Sequence, residues 1–161
     1  MHPLDDLPKW LSNTDFAILD HRFAQHGRDY LVFIETSTGP DKGQHEIIFS
    51  HCVRADYETR VMDVSWPPSW GNEFIDYREW IRAGKPDGYV WGTNCCFPHP
   101  RFEAIRDSAL AAEWTRRLGK EMYEISLQTD MFFLRLIFHS IRSRKLHDRI
   151  EITDEGVFPL K

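Results

Sequence analysis

The stretch that most constrains the fold runs from Tyr123 to His139, YEISLQTDMFFLRLIFH. It divides at Thr129-Asp130 into two segments with the two-residue period of β-strands. In the first, Tyr123, Ile125 and Leu127 point one way and Glu124, Ser126 and Gln128 the other, which predicts one buried and one exposed face. In the second, Phe132, Leu134, Leu136 and Phe138 share a face. Met131, Phe133 and Ile137 make the opposite face apolar too, broken only by Arg135 and His139. A strand apolar on both faces belongs in mid-sheet with cover on each side, or at an interface. The cover is expected from a helix and the aromatic-rich middle of the chain, or from a second subunit in a homodimer. Tyr30–Ile34 has the same doubly apolar character, so these two strands are expected at the centre of the sheet.

The remaining elements follow from periodicity and punctuation. Asp15–Phe23 and Asp29–Thr36 flank the turn His26-Gly27-Arg28 and read as an antiparallel hairpin. Glu46–Cys52 and Asp56–Val64 read as two more strands, and Arg149–Ile152 as a last one. A helix or turn is expected at Asp5–Ser12, and a helix between Asn72 and Ala83. Another helix is expected over Arg101–Leu118, closed by Gly119 at the position after its end. Ser65-Trp66-Pro67-Pro68-Ser69-Trp70-Gly71 is irregular, since paired prolines remove two backbone donors, and Asp87–Pro100 reads as loop with a short strand around Tyr89–Trp91. Runs of strands with segregated helices give an α+β fold, a mainly antiparallel β-sheet of about six to seven strands with one or two helices and a Trp/Pro-rich insertion. No repeat or linker divides residues 1–161, so a single α+β domain is expected.

Composition bounds the function. The chain has 161 residues, of which 42% are apolar and 28% charged, in the range of globular proteins. The net charge of −5 is uneven: residues 1–80 hold 7 Lys and Arg against 14 Asp and Glu. An acidic surface favours a basic partner and opposes nucleic acid. Three cysteines, two of them adjacent, make no disulfide framework and point to a reducing compartment. The opening MHPLDDLPKWL predicts no signal peptide, and no apolar run approaches the ~20 residues that span a bilayer. A cytoplasmic protein that contacts no membrane is the expectation.

Several side-chain sets offer chemistry, each against a plainer reading. Cys95, Cys96 and His99 could bind zinc or form a nucleophile–base pair, with His51 and Cys52 completing a ligand set. No second ligand pair of metal-site spacing accompanies them, and small buried cysteines in a turn explain them as well. Asp15, Asp20 and Glu35 with His21 could act as acid and base, or stand solvated on strand faces. Arg142 to Arg149, with Arg116, Arg117 and Arg135, could form a phosphate-binding stripe, or a charge-guarded sheet edge. The Trp66-Pro67-Pro68-Ser69-Trp70 loop, with Trp80 and Trp91, is the most distinctive binding candidate. Tryptophan is enriched at interface hot spots, and prolines hold a loop stiff before it binds. The plainer reading has the tryptophans capping the sheet. Phosphate-loop, dinucleotide, zinc-protease and serine-hydrolase motifs are absent from the sequence.

Two blocks bring a resemblance: HEIIFSHCVRADYET, His45 to Thr59, and LGKEMYEISLQTDMFFLRLIFHSIRSRKL, Leu118 to Leu146. They resemble the YxiG-like and related immunity-like groups of uncharacterised bacterial proteins. The matching features are Phe49, Ser50, His51 and Cys52 ending a strand, and a late hairpin around Glu124, Leu127, Thr129, Leu134, Leu136 and Phe138. The blocks cover about a quarter to a third of the chain. The resemblance implies a small bacterial α+β protein, some relatives of which look like immunity proteins that neutralise a toxin domain. It carries over no catalytic residue. The expected function is therefore a non-enzymatic protein-binding module without a cofactor. The alternative is a small metal- or cysteine-dependent enzyme using Cys95, Cys96 and His99.

Overall fold

The computed structural model describes residues 3–6, 16–63, 77–82, 84, 102–129, 131–148, 150–153 and 156–159. Two four-stranded antiparallel sheets face one another. The first has the order β1 (Phe16–Phe23), β2 (Tyr30–Thr36), β3 (Gly43–Ser50), β8 (Ser140–Lys145). The second has the order β4 (Arg54–Thr59), β7 (Phe132–Phe138), β6 (Tyr123–Gln128), β5 (Glu103–Ile105). A separate hairpin pairs β9 (Ile150–Thr153) with β10 (Gly156–Pro159). The helices are α1 (Tyr77–Arg82) and α2 (Ala109–Leu118), with a 3-10 turn at Pro3–Asp6.

The expected antiparallel α+β character holds. The single sheet of six to seven strands does not: the described residues hold ten strands in three sheets. The two doubly apolar strands are central, as expected, but in different sheets. β2 lies between β1 and β3, and β7 between β4 and β6.

The reason is a corner. β3 pairs with β8, and their direct continuations β4 and β7 pair with each other. One two-stranded ribbon therefore runs through both sheets, bending where His51, Cys52 and Val53 on one strand face His139 on the other. Ladder bonds continue across the bend: the His139 N–H donates to the Ser50 carbonyl at 3.0 Å and the Val53 N–H to the Ile137 carbonyl at 2.9 Å. Extra residues on one strand bend a pair, as bulges do when strands switch sheets. His51 takes the strain, with a left-handed φ of 52°. The β1–β2 turn holds it there: the Asp29 carboxylate accepts the His51 N–H at 3.0 Å, and the Arg28 carbonyl accepts the Cys52 N–H at 2.8 Å.

The core is the layer between the sheets. Phe16, Ile18, Val32, Ile34, Ile47 and Phe49 from the first sheet meet Ile125, Leu127, Phe132, Leu134, Leu136 and Phe138 from the second. Phe49 and Phe138 meet edge to face, with ring centroids 5.0 Å apart. The alternation read in Met131–Phe138 sets the inner face correctly.

The outer faces depart from expectation. Glu124, placed on the exposed face of its strand, is 1% exposed. Its carboxylate accepts from the Ser108 hydroxyl and pairs with Arg135. Ser108 in turn caps α2, accepting the Ala111 N–H at 2.9 Å. The helix expected over Arg101–Leu118 thus begins only at Ala109. The positions Phe102 and Ile105 fit helical spacing, but Glu103–Ile105 pairs with β6 and Phe102 stacks on Phe16 at 5.9 Å. Gly119 ends α2 as expected, in the left-handed conformation with φ 64°. Phe133 and Arg135 stay half-buried, so the outer face of β7 is covered only toward Ile137. Residues 64–76 and 85–101 lie outside the described residues, as do 7–12 of the expected N-terminal helix or turn.

Candidate functional site

A run of aromatic rings joins the edge strands β1 and β4. His21 sits on the inner face of β1, opposite Val32, while Asp20 and Arg22 pair with each other on the outer face. Its ring stacks with Tyr57 of β4 at 5.7 Å and lies tilted against Phe132 of β7 at 4.4 Å. Its Nδ1 shares a 2.7 Å hydrogen bond with the Tyr30 hydroxyl. Tyr30 meets Phe23 edge-on at 5.0 Å, and Tyr57 lies 5.3 Å from Phe132. The sequence Phe23–Tyr30–His21–Tyr57–Phe132 is therefore continuous. Two of its rings are open, Tyr57 at 57% exposed and Phe23 at 40%, while Phe132 lies in the core.

Buried His and Tyr need partners for their polar tips, which the His21–Tyr30 bond supplies. Burial lowers the His21 pKa, against an opposing pull from Asp20. Burial raises that of Tyr30, helped by Cys52, Asp20 and Tyr57. Both are neutral at neutral pH. The ladder is thus a stiff, uncharged aromatic edge, flanked on β4 by Asp56 and Glu58.

A second feature lies on the outer face of the first sheet. A recess of about 420 Å³ is lined by His26 and Asp29 of the β1–β2 turn, Leu31, Glu46 and Ile48 beneath, and Arg142 and Arg144 of β8. Glu46 is buried and paired with Arg144. Nearby, Arg22 lies over the Phe33 ring at 5.1 Å. The Gln44 side chain exchanges two hydrogen bonds with Ile150, tying the start of β9 to the sheet.

The sequence candidates divide. Trp66, Trp70, Trp91, Cys95, Cys96 and His99 lie outside the described residues; Trp80 is on α1, its side chain outside them. His51 and Cys52 sit together at the corner. His51 is exposed, its ring 5.9 Å from that of His139. Cys52 is buried, and burial pushes its thiol up to about 12, against backbone hydrogen bonds that lower it. The Sγ–H donates to the Arg54 carbonyl at 3.3 Å. Since the thiolate is the nucleophile and the ligand, Cys52 is unreactive at neutral pH. Among the described residues no three His, Cys, Asp or Glu are grouped to hold a metal ion.

The carboxylate set does not converge: Asp20 and Glu35 are on the outer face and His21 on the inner, with Asp15 outside the described residues. The basic stripe is dispersed. Arg116 and Arg117 end α2, Arg117 over the Trp114 ring at 3.8 Å; Arg135 serves Glu124, and Arg144 serves Glu46. β8 itself is a sheet edge bearing three cations, as the charge-guarded reading expected. Sequence reasoning missed the ladder and Asp29. Within the ladder, only the strand alternation at His21 and Tyr57 was available as a signal.

These features define a small antiparallel β protein with an exposed aromatic edge and a charged recess. The chain belongs to the YxiG-like protein family, whose sequence model matches residues 2–153. The match runs through the middle segment as well as the two blocks that carried the resemblance. No curated protein matches the chain. Among solved structures, it is similar to the crystal structure of an uncharacterized protein from Neisseria gonorrhoeae, with 9% sequence identity and a TM-score of 0.37 over 83% of this chain and 93% of that one. No described helix is long and apolar enough to cross a membrane.

Proposed function

We propose that this chain is a non-enzymatic protein-binding module, immunity-like in action, that meets a basic protein such as a toxin domain in the cytoplasm. The observation that carries the reading is the exposed Tyr57 ring within the aromatic ladder. A large ring left more than half exposed, yet held in place by stacking on His21 and Phe132, loses little freedom on binding. Tyrosine at such positions is typical of interface hot spots. Glu58 beside it, with Asp56 already paired to Arg54, and the acidic balance of the first half of the chain favour a cationic partner. Trp66 and Trp70, which follow β4 in the chain, and Trp80 and Trp91 are proposed as further binding residues.

The test is co-purification with the product of the neighbouring gene. Tyr57→Ala weakens the complex at least tenfold, about 1.4 kcal/mol. Trp66→Ala/Trp70→Ala weakens it further. A chain that captures no partner, or a complex indifferent to Tyr57→Ala, would overturn the reading.

A further inference from the structure

We propose that the recess beneath Arg142 and Arg144 binds a small zwitterion, an α-amino acid with an apolar side chain. This site is separate from the aromatic ladder and stands without it.

The first observation is a carboxylate oxygen with no hydrogen-bond donor among the described residues. Asp29 is 8% exposed. Its Oδ1 accepts the His51 N–H, but its Oδ2 has Arg142 at 3.8 Å and His26 Nε2 at 3.9 Å, both beyond hydrogen-bond reach. Buried carboxylate oxygens ordinarily find a donor. The His26 tautomer bears on this: its Nδ1 accepts the Arg28 N–H at 3.1 Å, so the neutral ring carries its hydrogen on Nε2, toward Asp29. Asp29 Oδ2 thus faces a gap edged by donors that stop short of it.

The second observation is charge balance. Two carboxylates, Asp29 and Glu46, face two guanidinium groups, Arg142 and Arg144. A simple anion would meet both acids, and a simple cation both arginines. A zwitterion matches each. Its ammonium donates to Asp29 Oδ2, and its carboxylate takes donors from Arg142, which makes no hydrogen bond to Asp29 at 3.8 Å. Arg144 spends its Nε on Glu46 and keeps its terminal nitrogens. Arg142 and Arg144 stand two residues apart on one strand face, about 7 Å along it, spanning the mouth. Leu31 and Ile48 give the apolar floor for a side chain.

The test is calorimetric titration of the intact protein with L-leucine up to about 10 mM. L-leucinamide, which keeps only the ammonium, and 4-methylpentanoate, which keeps only the carboxylate, serve as probes beside inorganic phosphate. Leucine binds, and each truncated probe binds at least tenfold more weakly. Arg142→Gln and Asp29→Asn each weaken leucine at least tenfold. Asp29→Asn keeps an oxygen to accept the His51 N–H, and the Arg142 side chain makes no hydrogen bond among the described residues, so both variants fold; an unchanged circular dichroism melt verifies this. No leucine heat, equal binding by either truncated probe or by phosphate, or folded variants that bind as well as wild type would overturn the site.

Discussion

Two buried carboxylates on the outer faces of the two sheets meet opposite fates. Glu124, on the second sheet, has a hydroxyl and a guanidinium on its oxygens. Asp29, at the rim of the first, has one oxygen tied to the corner and the other with no donor within hydrogen-bond distance among the described residues. The difference lies in what packs above. α2 brings Ser108 onto Glu124 and uses the contact to cap itself, whereas the face near Asp29, among the described residues, carries side chains of β8 and the turn. A buried carboxylate becomes structural when a neighbouring element brings the donor, and remains open to a ligand when none does.

The comparison can be broken at either end. The largest effect belongs to Glu124→Ala, expected to cost about 3 kcal/mol of unfolding free energy, since it strips a buried, charge-assisted network. A loss below about 1 kcal/mol in urea titration would mean the network is idle. Ser108→Ala comes next, at about 1–2 kcal/mol for the lost cap and the lost donor to Glu124. Arg142→Gln, at the open site, shifts stability by no more than about 0.5 kcal/mol, because an exposed arginine at 3.8 Å gains little.

Acid should sharpen the same contrast at the ladder. The folded state holds His21 below its unfolded pKa of 6.5, so the unfolded chain binds the extra proton first. Stability from this group is complete above that value and lost as pH falls from it toward the lowered folded value. The urea midpoint therefore drops between pH 7.5 and pH 5.5 by less in His21→Gln than in wild type. Equal drops would remove His21 as a contributor. The smallest effect is chemical: with its thiol near 12, Cys52 resists alkylation by iodoacetamide in the native state, and peptide mass spectrometry shows it labelled only after denaturation.

The strands were legible because each carries its own period. β2 and β7 stand out as doubly apolar, and Gly119 marks a helix end without help from elsewhere. The corner was not legible. His51, Cys52, Val53 and His139 include neither Gly nor Pro, and His51 adopts its left-handed backbone because Asp29, twenty-two residues earlier, accepts its N–H. Phe102 and Ile105 mislead for a related reason: three-residue spacing suits a helix face as well as a short strand with a flanking core residue. The buried state of Glu124 depends on Ser108, and alternation alone makes its position look solvated. The recess gathers residues from 24 to 48 with residues from 142 to 144, and such distances leave no local motif. The tryptophan loop and the Cys95-Cys96 pair were the loudest local signals, and both fall among residues 64–101, outside the described strands.

The shared ribbon has a mechanical meaning. Layers tied together only by loops can slide or hinge apart while each keeps its own ladder. Here both strands of the ribbon belong to both layers, so prising the corner open breaks the bonds from His139 to Ser50 and from Val53 to Ile137 before anything else can move. Amide hydrogens on the two sides of the bend should consequently exchange with solvent together, as one cooperative unit with no seam along which a protease or a pulling force could divide it.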